Sequence, residues 1–479
     1  MGLIDKLKGL WNTMFKDEVT KVYHVRGLET PDMMQAISAW MEIYSGSPRW
    51  VSKDTGIQSI NFAKYICSEV ARLACLDIDI SFDGARKEAM QDYWDKAILP
   101  RFQHWVEYGA AVGSFILKPS GEGVDFITPD RFQITQVDSN GKIMGAVFQD
   151  DYSEWGKYYT KLEHHTFWTA NVKMPDSDEY VQKTFYRIEN RAYKSASKGS
   201  IGSQVPLKET KWSALEPELY INDISGEPLK GMLFGFFKMP SANNIDITSP
   251  LGMSVFANAV KELEDLDTAY SRNSEEIFNS SKIVLLDDRL TDVVSRSNGS
   301  AVRHKMRLPA FVKNVTSDNP NEFYQEIVPT LQTQTRQEGI DALLSLIGCK
   351  CGFSNGYFVL DQKTGMVTAT QIEADDRGTI QSIKAIRDAL KTCLDELFYA
   401  QAVLWDLYST VPVGEYEPIY SWGDLTYSYE EDKQTWWKYV AANKMPAWLY
   451  FTKFEGMSEE EAKAYTAELE TSSSLFDEE

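Results

Sequence analysis

The chain has 479 residues, 43% of them hydrophobic, and a net charge of −21 at pH 7. That length supports two to four packed regions rather than a single core, and that charge excludes nucleic-acid binding through a broad basic surface. No apolar run approaches 18 residues and no secretion signal is evident, so a membrane-spanning chain is not expected. In chain order, Leu3, Ile4, Leu7, Leu10, Trp11, Met14 and Phe15 make one face of an amphipathic helix. Four lysines among its first 21 residues are offset by three acids, which favours docking on a neighbouring protein over a membrane surface. Phe62, Ile66, Val70 and Leu73 make a second helical face, and Leu76, Ile78, Ile80 and Phe82 alternate as a strand. Residues 85–112 read as two helices broken at Pro100, and residues 114–195 as antiparallel β structure. There, Phe132–Asp138 and Lys142–Gln149 flank Ser139-Asn140-Gly141, a hairpin signal, and further strands fit Lys157–Phe167 and Tyr180–Arg191.

After a loop-rich stretch over 196–230, Ser249 caps and Pro250 opens a predicted helix through Leu251, Phe256, Val260, Leu263, Leu266, Tyr270 and Ile277 to about Asn279. Two strand-like runs follow, Lys282–Asp287 and Lys305–Val312. The helix Thr330–Ile347 is polar nearly all round from Gln332 to Glu338, which implies water or another chain on more than one side, and Gly348 fits its stop. A glycine-rich loop runs from Cys349 to Met366. Thr370 and Glu373 then form a capping box for a long helix whose apolar face is Ile380, Ile383, Ile386, Leu390, Leu394, Leu397, Leu404 and Leu407. Its other face carries Arg377, Lys384, Arg387, Lys391, Asp395 and Glu396, and Pro412 ends a rod of about 55 Å. Strands fit Pro418–Trp422 and Leu425–Tyr429, and the remainder is helical, with a capping box at Ser458 and Glu461.

No chemistry-bearing constellation accompanies these elements. There is no glycine-rich Lys-Ser/Thr phosphate loop, zinc-protease helix or nucleophile elbow. Cys349-Lys-Cys351 lacks the two-residue gap of a zinc knuckle, and Cys67, Cys75 and Cys393 stand alone, so the thiols read as small buried hydrophobes. In Glu163-His164-His165 the adjacent imidazoles point to opposite faces of a strand and cannot easily grip one metal. Asp150-Asp151, Asp287-Asp288 and Asp375-Asp376 are adjacent pairs without ligand spacing, and Trp436-Trp437 reads as a core or subunit contact. The expectation is a protein that is not an enzyme, with no metal and no cofactor.

Five stretches, taken in order, carry a resemblance. They are Asn61–Leu73, Glu107–Pro119, Leu162-Glu-His-His165, Lys238–Asn244 running into Ser249-Pro-Leu-Gly252, and Thr368-Ala-Thr-Gln-Ile372. Together the chain resembles the portal proteins of tailed bacteriophages, in the type common in phages of Gram-positive bacteria. Gln371 departs from the pattern where an acid is expected, yet keeps helix-start chemistry; residues 196–230 and 430–479 match only loosely. The resemblance implies an α+β chain with a mixed α/β wing, a long-helix stem, a small α/β clip and a helical crown. By position, 1–19 would be the N-terminal helix, 20–249 the wing, 250–280 and 330–348 the stem helices, and 281–329 the clip. Residues 349–366 would be the tunnel loop, 367–411 the long wing helix, 412–430 wing strands and 431–479 the crown.

The implied function is a ring, usually of twelve copies, at one capsid vertex of the virion, assembled in the host cytoplasm. Double-stranded DNA would be packaged and ejected through it without sequence recognition. The implied partners are the terminase large subunit, which carries the ATPase, head–tail connector proteins, and the major capsid and scaffolding proteins. Lys350, Phe353, Asn355, Tyr357, Phe358 and Lys363 would border the DNA channel, Lys363 and Tyr357 nearest the phosphates, or else pack between subunits. Gln334, Arg336 and Glu338 would make stem or subunit contacts. Another virion structural protein, such as a connector or capsid subunit, and an acidic carbohydrate-active enzyme are the alternatives; the long rods argue against both.

Overall fold

A computed structural model of the protein describes residues 19–52, 54, 56–173, 180–279, 283–287, 292–297, 300–305, 312–315, 324–327, 333–358, 369–423, 436–440, 444–454, 457–458 and 462–466. The expected N-terminal helix, Lys363, the strand Leu425–Tyr429 and the side chains of Thr370 and Glu373 lie outside them. The described residues are mixed α+β and fall into two units, Met1–Ser421 and Trp422–Glu479.

In the first unit, helix α1 (Pro31–Tyr44) starts where the Thr30 side chain accepts from Met33 N at 3.3 Å, with proline in the first turn. Helix α2 (Phe62–Ala74) buries Ile66, Cys67, Val70 and Ala74, and β1 (Asp79–Asp83) turns Ile80 and Phe82 inward. Helix α3 (Lys87–Tyr93) runs through a π turn, Trp94–Ile98, into α4 (Leu99–Val112). Pro100 therefore sits in the first turn of α4, where its missing N–H is harmless. Strands β2 (Ser114–Ser120) and β3 (Gly123–Ile127) form a hairpin. Strands β4 (Phe132–Val137), β5 (Ile143–Glu154), β6 (Lys157–Lys173), β7 (Tyr180–Ser195), β8 (Ser203–Val205) and β9 (Glu218–Ile221) form an antiparallel sheet in the order β4-β5-β6-β7-β8, with β9 also on β7. The β4–β5 turn is the expected hairpin, with Gly141 at φ 79°. Strand β10 (Gly235–Lys238) completes a smaller sheet, β10-β2-β3.

The predicted helix from Pro250 begins ten residues late: α5 spans Val260–Asn279, after a 3-10 turn at Ala257–Ala259. The intervening backbone donors are taken by tertiary and local side-chain acceptors instead of a helical ladder. Gly252 N donates to Ser114 Oγ at 2.8 Å, Val255 N to Ala110 O at 2.9 Å, and Leu251 N to Ser249 Oγ at 3.3 Å. Gly113, which ends α4 at φ 83°, touches this segment so closely that a Cβ there would lie 2.3 Å from Gly252 O.

Between α5 and the next helix the described residues form five short strands, where the sequence suggests two: β11 (Ile283–Asp287), β12 (Asp292–Ser297), β13 (Ser300–Lys305), β14 (Val312–Val315) and β15 (Tyr324–Ile327). Lys305 ends one strand and Val312 begins another, and the rest of the expected strand Lys305–Val312 lies outside the described residues. Strand β11 pairs parallel with β14 and antiparallel with β15, while β12 and β13 form a hairpin.

Helix α6 (Thr333–Lys350) runs past Gly348. Its true stop is Gly352, at φ 85°: Phe353 N bonds back to Gly348 O at 2.9 Å and Gly352 N to Cys349 O at 3.3 Å, the paired closure of a Schellman motif. Gly348 is glycine for packing, since a Cβ there would meet the Phe358 ring at 3.2 Å.

Helix α7 (Ala369–Tyr408) has 40 residues and is about 60 Å long. Ile383, Ile386, Leu390, Leu394 and Leu397 are buried as predicted, but Leu407 is 40% exposed. A repeat of seven drifts around a 3.6-residue helix, so the buried stripe moves to Phe398, Ala400 and Ala402. Arg387, expected on the polar face, is buried and donates to the carbonyls of Leu73 (2.9 Å) and Ala74 (3.1 Å) at the end of α2. Gly235 lets β10 press on α7; a Cβ there would lie 2.1 Å from Cys393 O. Strand β16 (Glu417–Ser421) then returns to pair with β1.

In the second unit, a helical turn at 436–440, helix α8 (Ala447–Phe454) and a turn at 462–466 share an aromatic core. Trp436 meets Phe454 (5.7 Å), Trp437 meets Tyr450 (5.2 Å) and Phe451 meets Tyr465 (5.1 Å), with Lys453 Nζ 4.0 Å over the Trp436 ring.

Candidate functional site

The feature with most mechanical content is the pair α5/α6 and the segment that follows it. The two helices run antiparallel, tied at both ends: Glu276 of α5 pairs with Arg336 of α6, and Glu262 with Lys350 at 2.6 Å. Their near-helical spacing keeps both bridges on one seam of the pair. Trp50, Gln58 and Ile60 strap α5. Asp267, buried, accepts from Trp50 Nε1 at 2.8 Å and Ile60 N at 3.0 Å, and Ser271 Oγ accepts from Gln58 N at 2.9 Å. Among the three predicted stem residues, Arg336 is thus bonded within its own chain, while Gln334 and Glu338 are exposed and joined to each other at 3.3 Å.

The first half of the predicted loop is packed. Phe353 and Phe358 are 5% and 7% exposed, and with Tyr357 they form a ring cluster with centroids 4.7–5.0 Å apart. Phe62 and Tyr65 of α2 close on Phe358 at 5.3 and 5.8 Å. Ser354 N donates to Thr379 Oγ1 at 2.8 Å, tying the segment to α7. Tyr357 donates its hydroxyl to Glu69, which also grips Arg72. The hydrogen bond from Arg72 chiefly holds the Glu69 carboxyl below its usual range, against burial, and burial together with Glu69 pushes the Tyr357 hydroxyl up. Glu69 is therefore a fixed anion that accepts from Tyr357.

Of the six predicted channel residues, Phe353 and Phe358 face the protein interior, Tyr357 is half-buried and bonded, Lys350 is ion-paired, and Asn355 is exposed. The loop's partners are Phe62, which the sequence places on the α2 core face, and Tyr65 and Glu69, which sequence reading misses. At i, i+3 and i+7 they make a stripe on the flank of α2, legible only once its non-core flank is treated as a second contact face. Burial pushes the Cys351 thiol up to about 12, and Cys67 is raised for the same reason, so neither is a reactive thiolate.

The histidine pair is structural. The Glu163 carboxylate accepts from His165 Nε2–H (2.6 Å), which leaves Nδ1 of the neutral ring to accept from Tyr186 OH (2.8 Å), and that hydroxyl accepts in turn from Leu233 N at 3.0 Å. Lys118 and Lys161 also hold Glu163, at 2.7 and 2.6 Å. His164 points the other way, onto the Tyr23 ring at 4.8 Å. Among the described residues no group of three His, Cys, Asp or Glu is placed to hold a metal ion, and no helix is long and apolar enough to cross a membrane. No protein-family model matches the chain, and no curated protein matches it.

Proposed function

We propose that the chain is the subunit of a portal-type ring at a capsid vertex of a tailed bacteriophage virion. Such a ring conducts double-stranded DNA in both directions and is the docking site for a separate packaging motor and for head–tail connectors. The observation that carries this reading is the antiparallel pair α5/α6, cross-tied at both ends and leading out to the strand module 283–327. A chain that serves as a stem needs stiffness along its length and a distal module for partners, and needs no catalytic group. The 40-residue α7, running under β10 and against α2, supplies a brace of the same kind.

In this reading α5 and α6 are the stem, 283–327 the clip, the sheets with α1–α4, α7 and β16 the wing, and the second unit the crown. Asn355 is the channel-facing member of the described loop residues, and the aromatic cluster behind it is the loop's anchor. DNA carries one negative charge per about 1.7 Å of axis. An acidic wall repels it, so the duplex slides without sticking. Native mass spectrometry with negative-stain imaging of the purified chain tests the proposal. A ring of about twelve copies with a central hole is the expected result, and a compact monomer that turns over a polysaccharide overturns it.

A further inference from the structure

Trp155 is 93% exposed at the tip of the β5–β6 hairpin, in a two-residue loop closed by the Glu154–Lys157 pair. Both loop residues have positive φ, 49° at Trp155 and 71° at Gly156. A turn of this type takes Asn, Asp or Gly at its first position. A bulky side chain in the left-handed region is strained, and an indole held in water gains nothing from burial. Trp155 thus carries backbone strain with no burial to offset it, an outlier that points to a use.

At the opposite end of β5 lies a cavity of about 350 Å³, walled by Ile143, Met232, Phe234, Phe236, Glu396 and Tyr399. Glu396 Oε2 accepts from Phe236 N at 2.9 Å, leaving its other oxygen as an acceptor. Lys142 at the rim donates to Lys230 O at 3.1 Å, and Asp395 at the rim accepts from Tyr420 OH at 2.6 Å. The 12 residues of β5 separate knob and cavity by about 40 Å. Both sit on one rigid sheet, so Trp155 cannot reach the cavity of its own chain.

We propose that Trp155 of one copy of this chain seats in the Phe234–Phe236 cavity of the next copy, with its indole N–H on Glu396. The proposal rests on the ring reading and names the contact that joins wing to wing. The space suits an indole, the walls are aromatic and aliphatic, and one half-buried carboxylate meets the single indole donor. Lys157 beside the knob meets Asp395 at the rim, and Lys142 faces the ring of the incoming indole. A knob at one end of a strand and its hole at the other make a head-to-tail contact, which closes into a ring when the rotation per copy allows.

The full-length chain carrying Trp155→Asn, and a second one carrying Gly231→Phe, test this by native mass against concentration. Asn is preferred at that turn position, so Trp155→Asn monomers should melt at or above the wild-type temperature while association weakens about thirty-fold, the loss typical of a buried Trp anchor. At Gly231 the nearest atoms to an added Cβ are 3.5 and 3.6 Å away, so the chain tolerates a side chain there, which fills the cavity and should cause the same loss. A benzoylphenylalanine photocrosslinker at position 155 should label peptides 230–236 or 392–399 of another copy. Rings of unchanged affinity in both variants, or crosslinks confined to other peptides, overturn the contact and leave the ring reading standing. A wild-type chain that stays monomeric at every attainable concentration also overturns the contact, since every copy carries both knob and hole, and leaves the ring reading to assembly on scaffold or shell.

Discussion

His164 shows how burial alone sets a pH response at the residue scale. Its side chain lies against Tyr23, beside His165 and Arg187 and opposite Glu189 across the strand pair, and its Nε2 is buried without a hydrogen-bond partner. Burial chiefly, with the His165 imidazole and the Arg187 guanidinium adding, pushes its pKa down to about 4. A folded value below the unfolded one means that the unfolded chain binds the proton first. Stability is therefore whole above pH 6.5 and falls as pH drops toward 4, by up to about 3 kcal/mol. His165 is lowered in the same direction, burial again leading. Glu163 adds a second step lower down. Burial would raise it, but Lys118, His165 and Lys161 outweigh burial and hold it well below its usual value. Its contribution is thus present above about pH 4.5 and lost on further acidification. Urea midpoints measured from pH 7.5 to 4 should fall only below 6.5, and His164→Gln should flatten that limb; an unaltered slope would place the acid lability elsewhere.

Single glycines and ion pairs decide the fate of whole elements. Gly352 holds φ 85° at the end of α6, and a Cβ there would lie 2.8 Å from Ser382 Oγ. Gly352→Ala should lower stability by about 1–2 kcal/mol in thermal or urea unfolding, since strain adds to the contact. Arg336→Glu sets like charges against Glu276 and should weaken the helix pair by about 0.5–1 kcal/mol, with Glu276→Arg restoring the loss in a double-mutant cycle. A cycle without coupling would mean that the bridge is solvated. These elements also mark how far the sequence could be read. The hairpin at Gly141, the alternation of Ile80 and Phe82, and the core stripe of α7 follow from periodicity and turn chemistry, and the structure carries them. The false helix at Pro250–Phe256 had correct caps and spacing, but Ser114 and Ala110, more than a hundred residues away, take its donors. Arg387 looked solvated because nothing local reveals that the last carbonyls of α2 await it. The loop aromatics Phe353 and Phe358 looked free because Phe62 and Tyr65, their partners, lie some three hundred residues earlier. Local pattern is legible from one stretch; a tertiary partner is not.

For the whole molecule, net charge bears on the proposed assembly. Each copy carries −21, so the proposed ring of twelve would hold about −250 formal charges, and its neighbouring copies would repel. That repulsion reaches about 30 Å at 0.01 M salt and only about 8 Å at 0.15 M. The core of a contact of the Trp155 kind is apolar, and salt screens only its rim pair of Lys157 and Asp395. The ring population at fixed protein concentration should therefore rise as salt is raised from about 0.01 to about 0.5 M. This sign is opposite to that of an assembly held by complementary ion pairs, and opposite to that of a DNA-binding surface, whose affinity falls steeply with salt. Mass photometry across a salt series reads the sign directly. A ring population that falls with salt would mean that the joining surfaces carry matched opposite charges, with the acidic surplus displaced to the channel and outer faces, and the apolar knob would then be a minor part of the interface.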